Sequence, residues 1–91
     1  MFFFYFNNPN NIGSCDIYYS IKKGNEWSYP MNLGEPANSS YWESNPVMSP
    51  TGDVIYFTTN RPGGLGDRDI WSVQVKINAN GTLTTYNAQP L

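Results

Sequence analysis

Ile55-Tyr56-Phe57-Thr58-Thr59-Asn60-Arg61-Pro62-Gly63-Gly64-Leu65-Gly66-Asp67-Arg68-Asp69-Ile70-Trp71 reads as a strand, a tight glycine loop and a second strand. The same phrase occurs earlier, without a gap, as Phe2-Phe3-Phe4-Tyr5-Phe6-Asn7-Asn8-Pro9-Asn10-Asn11-Ile12-Gly13-Ser14-Cys15-Asp16-Ile17-Tyr18. The offset of 53 residues matches Asn7 with Asn60, Pro9 with Pro62, Gly13 with Gly66, Asp16 with Asp69 and Ile17 with Ile70. It also sets Phe4 against Phe57 and Tyr18 against Trp71. Where the second copy has Gly63-Gly64 the first has Asn10-Asn11, and asparagine is the non-glycine residue that best tolerates positive φ. Self-similarity at this period is the mark of a repeat architecture.

Working outward from the second copy, four extended segments fill one period: residues 44–48, 54–59, 69–76 and 82–86. Ser49-Pro50-Thr51-Gly52 forms the first turn, with proline fixing φ and Gly52 free to go left-handed. Asn80-Gly81 is a strong signal for the last hairpin. No window carries apolar residues at helical spacing over three turns, so the expected class is all-β with antiparallel sheets. Val54-Ile55-Tyr56-Phe57 and Phe2-Phe3-Phe4-Tyr5-Phe6 are apolar at successive positions, which asks for cover on both faces of the sheet. Residues 1–43 are expected to hold three strands and a connector, and residues 44–91 a full four-stranded unit.

Composition narrows the chemistry. The 91 residues are 40% hydrophobic, enough for one small core and too few residues for two independent ones. Net charge is −2 and the five basic residues are scattered, which gives no footprint for nucleic acid. The aromatic start lacks the basic flank and apolar length of a secretory signal, and nothing reads as a membrane insertion. The chain contains no histidine, which removes Ser-His and Cys-His nucleophiles and the usual zinc sites. Cys15 stands alone and has Asp16 beside it, a neighbour that holds a thiol protonated. Asp67-Arg68-Asp69 is too short a run of carboxylates for a calcium loop. No metal and no cofactor are expected.

The stretch 45–71 resembles the WD40-like propeller repeat of TolB-type proteins (PD40), and more closely the repeats that precede OmpA-like peptidoglycan-binding domains in bacterial envelope proteins. Residues 27–40 are similar to the connector such proteins place between blades. The resemblance implies four-stranded β-propeller blades, about two of them, in an incomplete propeller. It also implies a periplasmic or cell-envelope location and action through protein contacts. Two departures stand out: Thr51 occupies a turn position where the family usually has Asp, and Asn8 answers Arg61.

Function is expected in the loops, because a rigid β scaffold positions loops for binding. The candidate surface is Asn60, Arg61, Asp67 and Arg68, together with Tyr41 and Trp42 of the connector. Alternatively Asp16 and Asp69, with Gly66 and Gly52, serve the turns themselves: Asp69 and Asp67 cap N–H groups of the glycine loop while Arg61 pairs with one of them, and Asp16 repeats the position of Asp69. The Tyr41-Trp42 pair is either exposed or folded back on its sheet. A carbohydrate-active reading makes Glu43 the acid beside a Tyr41-Trp42 sugar platform, although the chain lacks the Ser-x-Asp-x-Gly-x-x-Trp box of sialidases. The leading expectation is a non-catalytic module whose partner is another protein or further blades. Uncovered apolar faces also allow a homo-oligomer that completes a ring.

Overall fold

The computed structural model describes residues 2–8, 11–64 and 66–91, and among these it is all-β with antiparallel sheets and no helix. In chain order the strands are β1 (Phe2–Phe6), β2 (Asp16–Ser20), β3 (Lys22–Lys23), β4 (Glu26–Trp27), β5 (Met31–Asn32), β6 (Glu43–Met48), β7 (Val54–Thr59), β8 (Asp69–Ile77) and β9 (Leu83–Pro90). They form a three-stranded sheet in the order β1-β2-β5, a two-stranded ribbon β3-β4, and a four-stranded meander β6-β7-β8-β9.

The sequence repeat is a repeat of register. In β1-β2 the pairs run from Phe2 opposite Ser20 to Phe6 opposite Asp16. Adding 53 to every number gives the β7-β8 pairs, from Ile55 opposite Val73 to Thr59 opposite Asp69. Beyond this hairpin the copies diverge. β8 runs on to Ile77 and β9 to Pro90, four residues past the expected end. The first copy breaks the same course at Ile21 and at Ser28–Pro30, although the Ser28 N–H still reaches the Ile21 carbonyl at 2.8 Å. Met31 and Asn32 then pair with Tyr19 and Tyr18, so part of the stretch read as connector is a strand.

Irregularities in the ladder fall on asparagine. Asn45 (φ 53°) lies where the β6-β7 register shifts, and Asn87 (φ 55°) lies opposite the shift between Ser72 and Gln74. These two irregularities use left-handed backbone, which asparagine tolerates, and Pro46 is accepted beside the first because the bulge frees its position from the ladder. The 49–52 turn forms as expected, with the Gly52 N–H on the Ser49 carbonyl at 2.9 Å and Gly52 at φ 78°.

One core lies between the two larger sheets. Ile17, Tyr19 and Ile21 project from the β2 side toward Ile55 and Phe57 of β7 and Trp71, Val73 and Val75 of β8. The Leu83 N–H donates to the buried Tyr19 hydroxyl at 2.9 Å, so the ring's polar end is satisfied inside the interface. Alternation sends Tyr18 to the opposite face of β2, where its ring stacks on Phe6 (centroids 4.4 Å apart), which in turn stacks on Phe4 at 5.7 Å. That is why all five residues of β2 are buried: one face packs on the second sheet and the other under its own aromatics and loop.

The connector is fastened by a buried asparagine. Asn38 accepts the Ile17 N–H (2.7 Å) and donates its amide to the Ile17 carbonyl (2.9 Å) and to Asn32 Oδ1 (2.8 Å), standing in for a neighbouring strand. Replacing it with alanine orphans the buried Ile17 N–H at about 1–3 kcal/mol, while the Ile17 carbonyl keeps the Leu33 N–H at 3.0 Å. Asn38→Ala is therefore expected to lower the stability by about 2 kcal/mol in urea unfolding, far more than alanine at exposed Asn25.

Thr51, where the resembled turn carries Asp, donates to Asp53 Oδ1 at 2.5 Å, and Ser49 Oγ adds a second bond at 3.2 Å. These hydroxyls hold the exposed Asp53 carboxyl below the ordinary aspartate range. A depressed folded-state pKa means the turn gains from this group above the usual carboxylate range and loses the gain as pH falls through the lowered value. In an NMR titration Thr51→Val is expected to move Asp53 back up while the rest of the spectrum stays in place.

Candidate functional site

Three segments converge at the end of the sheets that carries the glycine loop: the loop between β7 and β8, the first copy's loop between β1 and β2, and the connector at 38–43. Both loops are organised by the aspartate that opens the following strand. Asp16 accepts the Ile12 N–H (2.7 Å) and the Gly13 N–H (3.2 Å), and its carboxylate also takes the Asn32 amide at 2.8 Å. Asp69 accepts the Gly66 N–H at 3.1 Å, the equivalent of the Gly13 contact. Its carboxylate lies so close over Gly64 that a Cβ there would collide with it, so the repeated aspartates serve the loops. Gly13 is equally constrained, since a Cβ would strike the carbonyls of Ser39 and Tyr41.

Arg61 does not pair with Asp67 or Asp69, and it does not face solvent. Its guanidinium turns inward to the carbonyls of Pro36 (2.8 Å) and Ala37 and to Glu43 Oε2 (3.4 Å), lying 5.0 Å over the Trp71 ring and 5.3 Å over Phe57. Burial lowers the Arg61 pKa and the Glu43 charge opposes that shift. Arg61 thus joins connector to sheet, and it leaves the list of exposed loop residues.

Glu43, the acid of the carbohydrate-active reading, is 0% exposed. It accepts the Ser39 N–H (2.9 Å), the Ser39 hydroxyl (2.5 Å) and the Thr59 hydroxyl (2.8 Å) in addition to Arg61. Three of these donors fall on Oε2 and one on Oε1, and the burial of the carboxylate closes it to a substrate. Cys15 is buried nearby, and burial first, then the charges of Asp16 and Glu43, push its thiol pKa up. Among the described residues no three metal-ligating side chains converge, and no helix is long and apolar enough to cross a membrane.

What remains accessible is a smaller cluster. Tyr41 is 43% exposed. Trp42 is half-buried, and the exposed Arg68 lays its guanidinium 4.3 Å above the indole. Hydrogen bonds fix Trp42 itself: the Trp42 N–H donates to Asn60 Oδ1 (2.9 Å), the Asn60 N–H donates to the Trp42 carbonyl (3.2 Å), and the next residue's N–H, that of Glu43, donates to the Cys15 carbonyl (3.0 Å). Asn60 therefore positions Trp42, while Asp67 is exposed on the loop beside Arg68. Arg68 also lines a cavity of about 430 Å³ together with Gly63, Gly64, Asp69, Ile70 and Leu91. Comparison with protein-family models, with characterised proteins and with solved structures gave no match.

The two arginines are expected to separate cleanly in chemical unfolding. Arg61→Ala leaves a buried carboxylate short of its cation and should cost about 3 kcal/mol. Arg68→Ala removes an exposed cation–π contact and should cost at most about 1 kcal/mol.

Proposed function

We propose that the chain is a non-catalytic interaction scaffold made of β-propeller-type blades, residues 1–43 a partial blade with its connector and residues 44–91 a full one. Its binding surface is the Tyr41-Trp42-Arg68 cluster at the loop end. The observation that carries this reading is that Trp42 and Arg68 come from different segments and meet in a cation–π contact at 4.3 Å, with Trp42 held by hydrogen bonds to Asn60 on both its N–H and its carbonyl. Aromatic and arginine side chains held in this way are the residues that dominate binding energy at protein interfaces. The repeated register and the resemblance of 45–71 support blades as the scaffold. The same resemblance supports action in the bacterial cell envelope, with a protein as partner. The enclosure of Glu43 supports a non-catalytic role, because it withdraws the best-placed acid from solvent.

The test is affinity capture with the chain immobilised, comparing wild type with Trp42→Ala and Arg68→Ala after circular dichroism has shown both variants folded. A partner retained by wild type and lost at least tenfold from both variants is the expected result. Equal capture by all three chains overturns the loop assignment.

A further inference from the structure

The interface between the sheets joins two different surfaces. The first sheet contributes the face of β2 that bears Ile17, Tyr19 and Ile21, with Phe3 packed alongside. The second contributes the face that bears Phe57, Trp71 and Val73. The 53-residue offset maps each surface onto one that this contact leaves unused. Phe4 and Tyr18 occupy the positions of Phe57 and Trp71, on the back of the first sheet and outside the central core. Tyr56 and Ile70 occupy the positions of Phe3 and Ile17, on the front of the second sheet.

That front is open. The register aligns Val47 with Tyr56, Thr58 with Ile70, and Gln74 with Tyr86 on one face. Val47 is 61% exposed and Ile70 55%. Lys76, at the far end of the strand, is the charge the register places there. The back of the first sheet presents the half-buried rings of Phe4 and Phe6, stacked over the buried Tyr18. An uncovered front and an aromatic back are the two halves of the contact the chain already makes within itself.

We propose that the chain associates with copies of itself head to tail, the front of the second sheet in one copy seating the back of the first sheet in the next. The surfaces differ, so the contact is heterologous and propagates until it closes or is capped. Ser72 and Gln74 stand where the internal interface has Tyr19 and Ile21, so the contact between copies buries less apolar surface than the internal one and depends on concentration. This inference stands on strand register and is independent of the loop cluster.

Sedimentation velocity of the 91-residue chain from about 1 µM to about 200 µM tests it. The expected wild-type result is a mean mass that rises with concentration, while Ile70→Lys alone stays monomeric. Fluorescently labelled Ile70→Lys should nevertheless co-sediment with wild type and lower its mean mass, because its back surface still caps a wild-type front. Val47→Lys, at a more exposed position, provides the same readout should Ile70→Lys fail to fold. A wild-type monomer throughout, association unaffected by either lysine, or lysine variants that do not bind wild type would each overturn the proposal; the last would signal front-to-front pairing. Trp42→Ala is expected to leave the mass unchanged, which separates this test from that of the loop surface.

Discussion

The buried Glu43 carboxylate is the constraint around which the chain is arranged. An ion removed from water is tolerable when hydrogen bonds and an opposite charge replace its hydration, and Glu43 collects its donors from three places: Ser39 in the connector, Thr59 at the end of β7, and Arg61 beyond it. Satisfying that one group fixes where the connector must end and how β6 enters its sheet. Arg61 extends the tie to the carbonyls of Pro36 and Ala37, next to Asn38 on the Ile17 backbone. A single polar chain thus runs from the first sheet through the connector into the second, alongside an apolar core of few residues.

The two copies fill the same position by different chemistry. In the second, the Arg61 guanidinium lies over Trp71 and the Thr59 hydroxyl faces Glu43. In the first, the equivalents of Thr59, Arg61 and Trp71 are Phe6, Asn8 and Tyr18, and Phe6 stacks on Tyr18. Ring on ring replaces cation on ring. The strand register survives the exchange because both arrangements place a flat, polarisable surface against the aromatic residue of the second strand.

Much of this was legible in the sequence because it is local. The gap-free offset identified both strand-loop-strand hairpins, and the repeated Asp16 and Asp69 pointed to the loop N–H groups that they accept. The long-range polar contacts were not legible. Arg61 has Asp67 and Asp69 close by in sequence, whereas its partner Glu43 is 18 residues upstream and is defined only once the connector has folded back. Asn38 sits in a run of Asn, Ser and Pro that reads as loose linker, and its role as a surrogate strand depends on Ile17, 21 residues away. Met31 and Asn32 escaped for a related reason: a two-residue strand carries no periodicity to detect. Tyr41 and Trp42 were readable as a candidate pair, but the position of Arg68 over the indole follows from the packing of two separate segments.

The Leu83 to Tyr19 hydrogen bond joins residues 64 apart, whereas every pairing inside the four-stranded meander joins neighbours along the chain. Loop-closure entropy grows with the length enclosed, so the meander is the part that can assemble at small entropic cost. The first sheet, with three strands and its face of Ile17, Tyr19 and Ile21, gains cover only once that meander exists. Residues 43–90 are thus the template against which the face of Ile17, Tyr19 and Ile21 is covered.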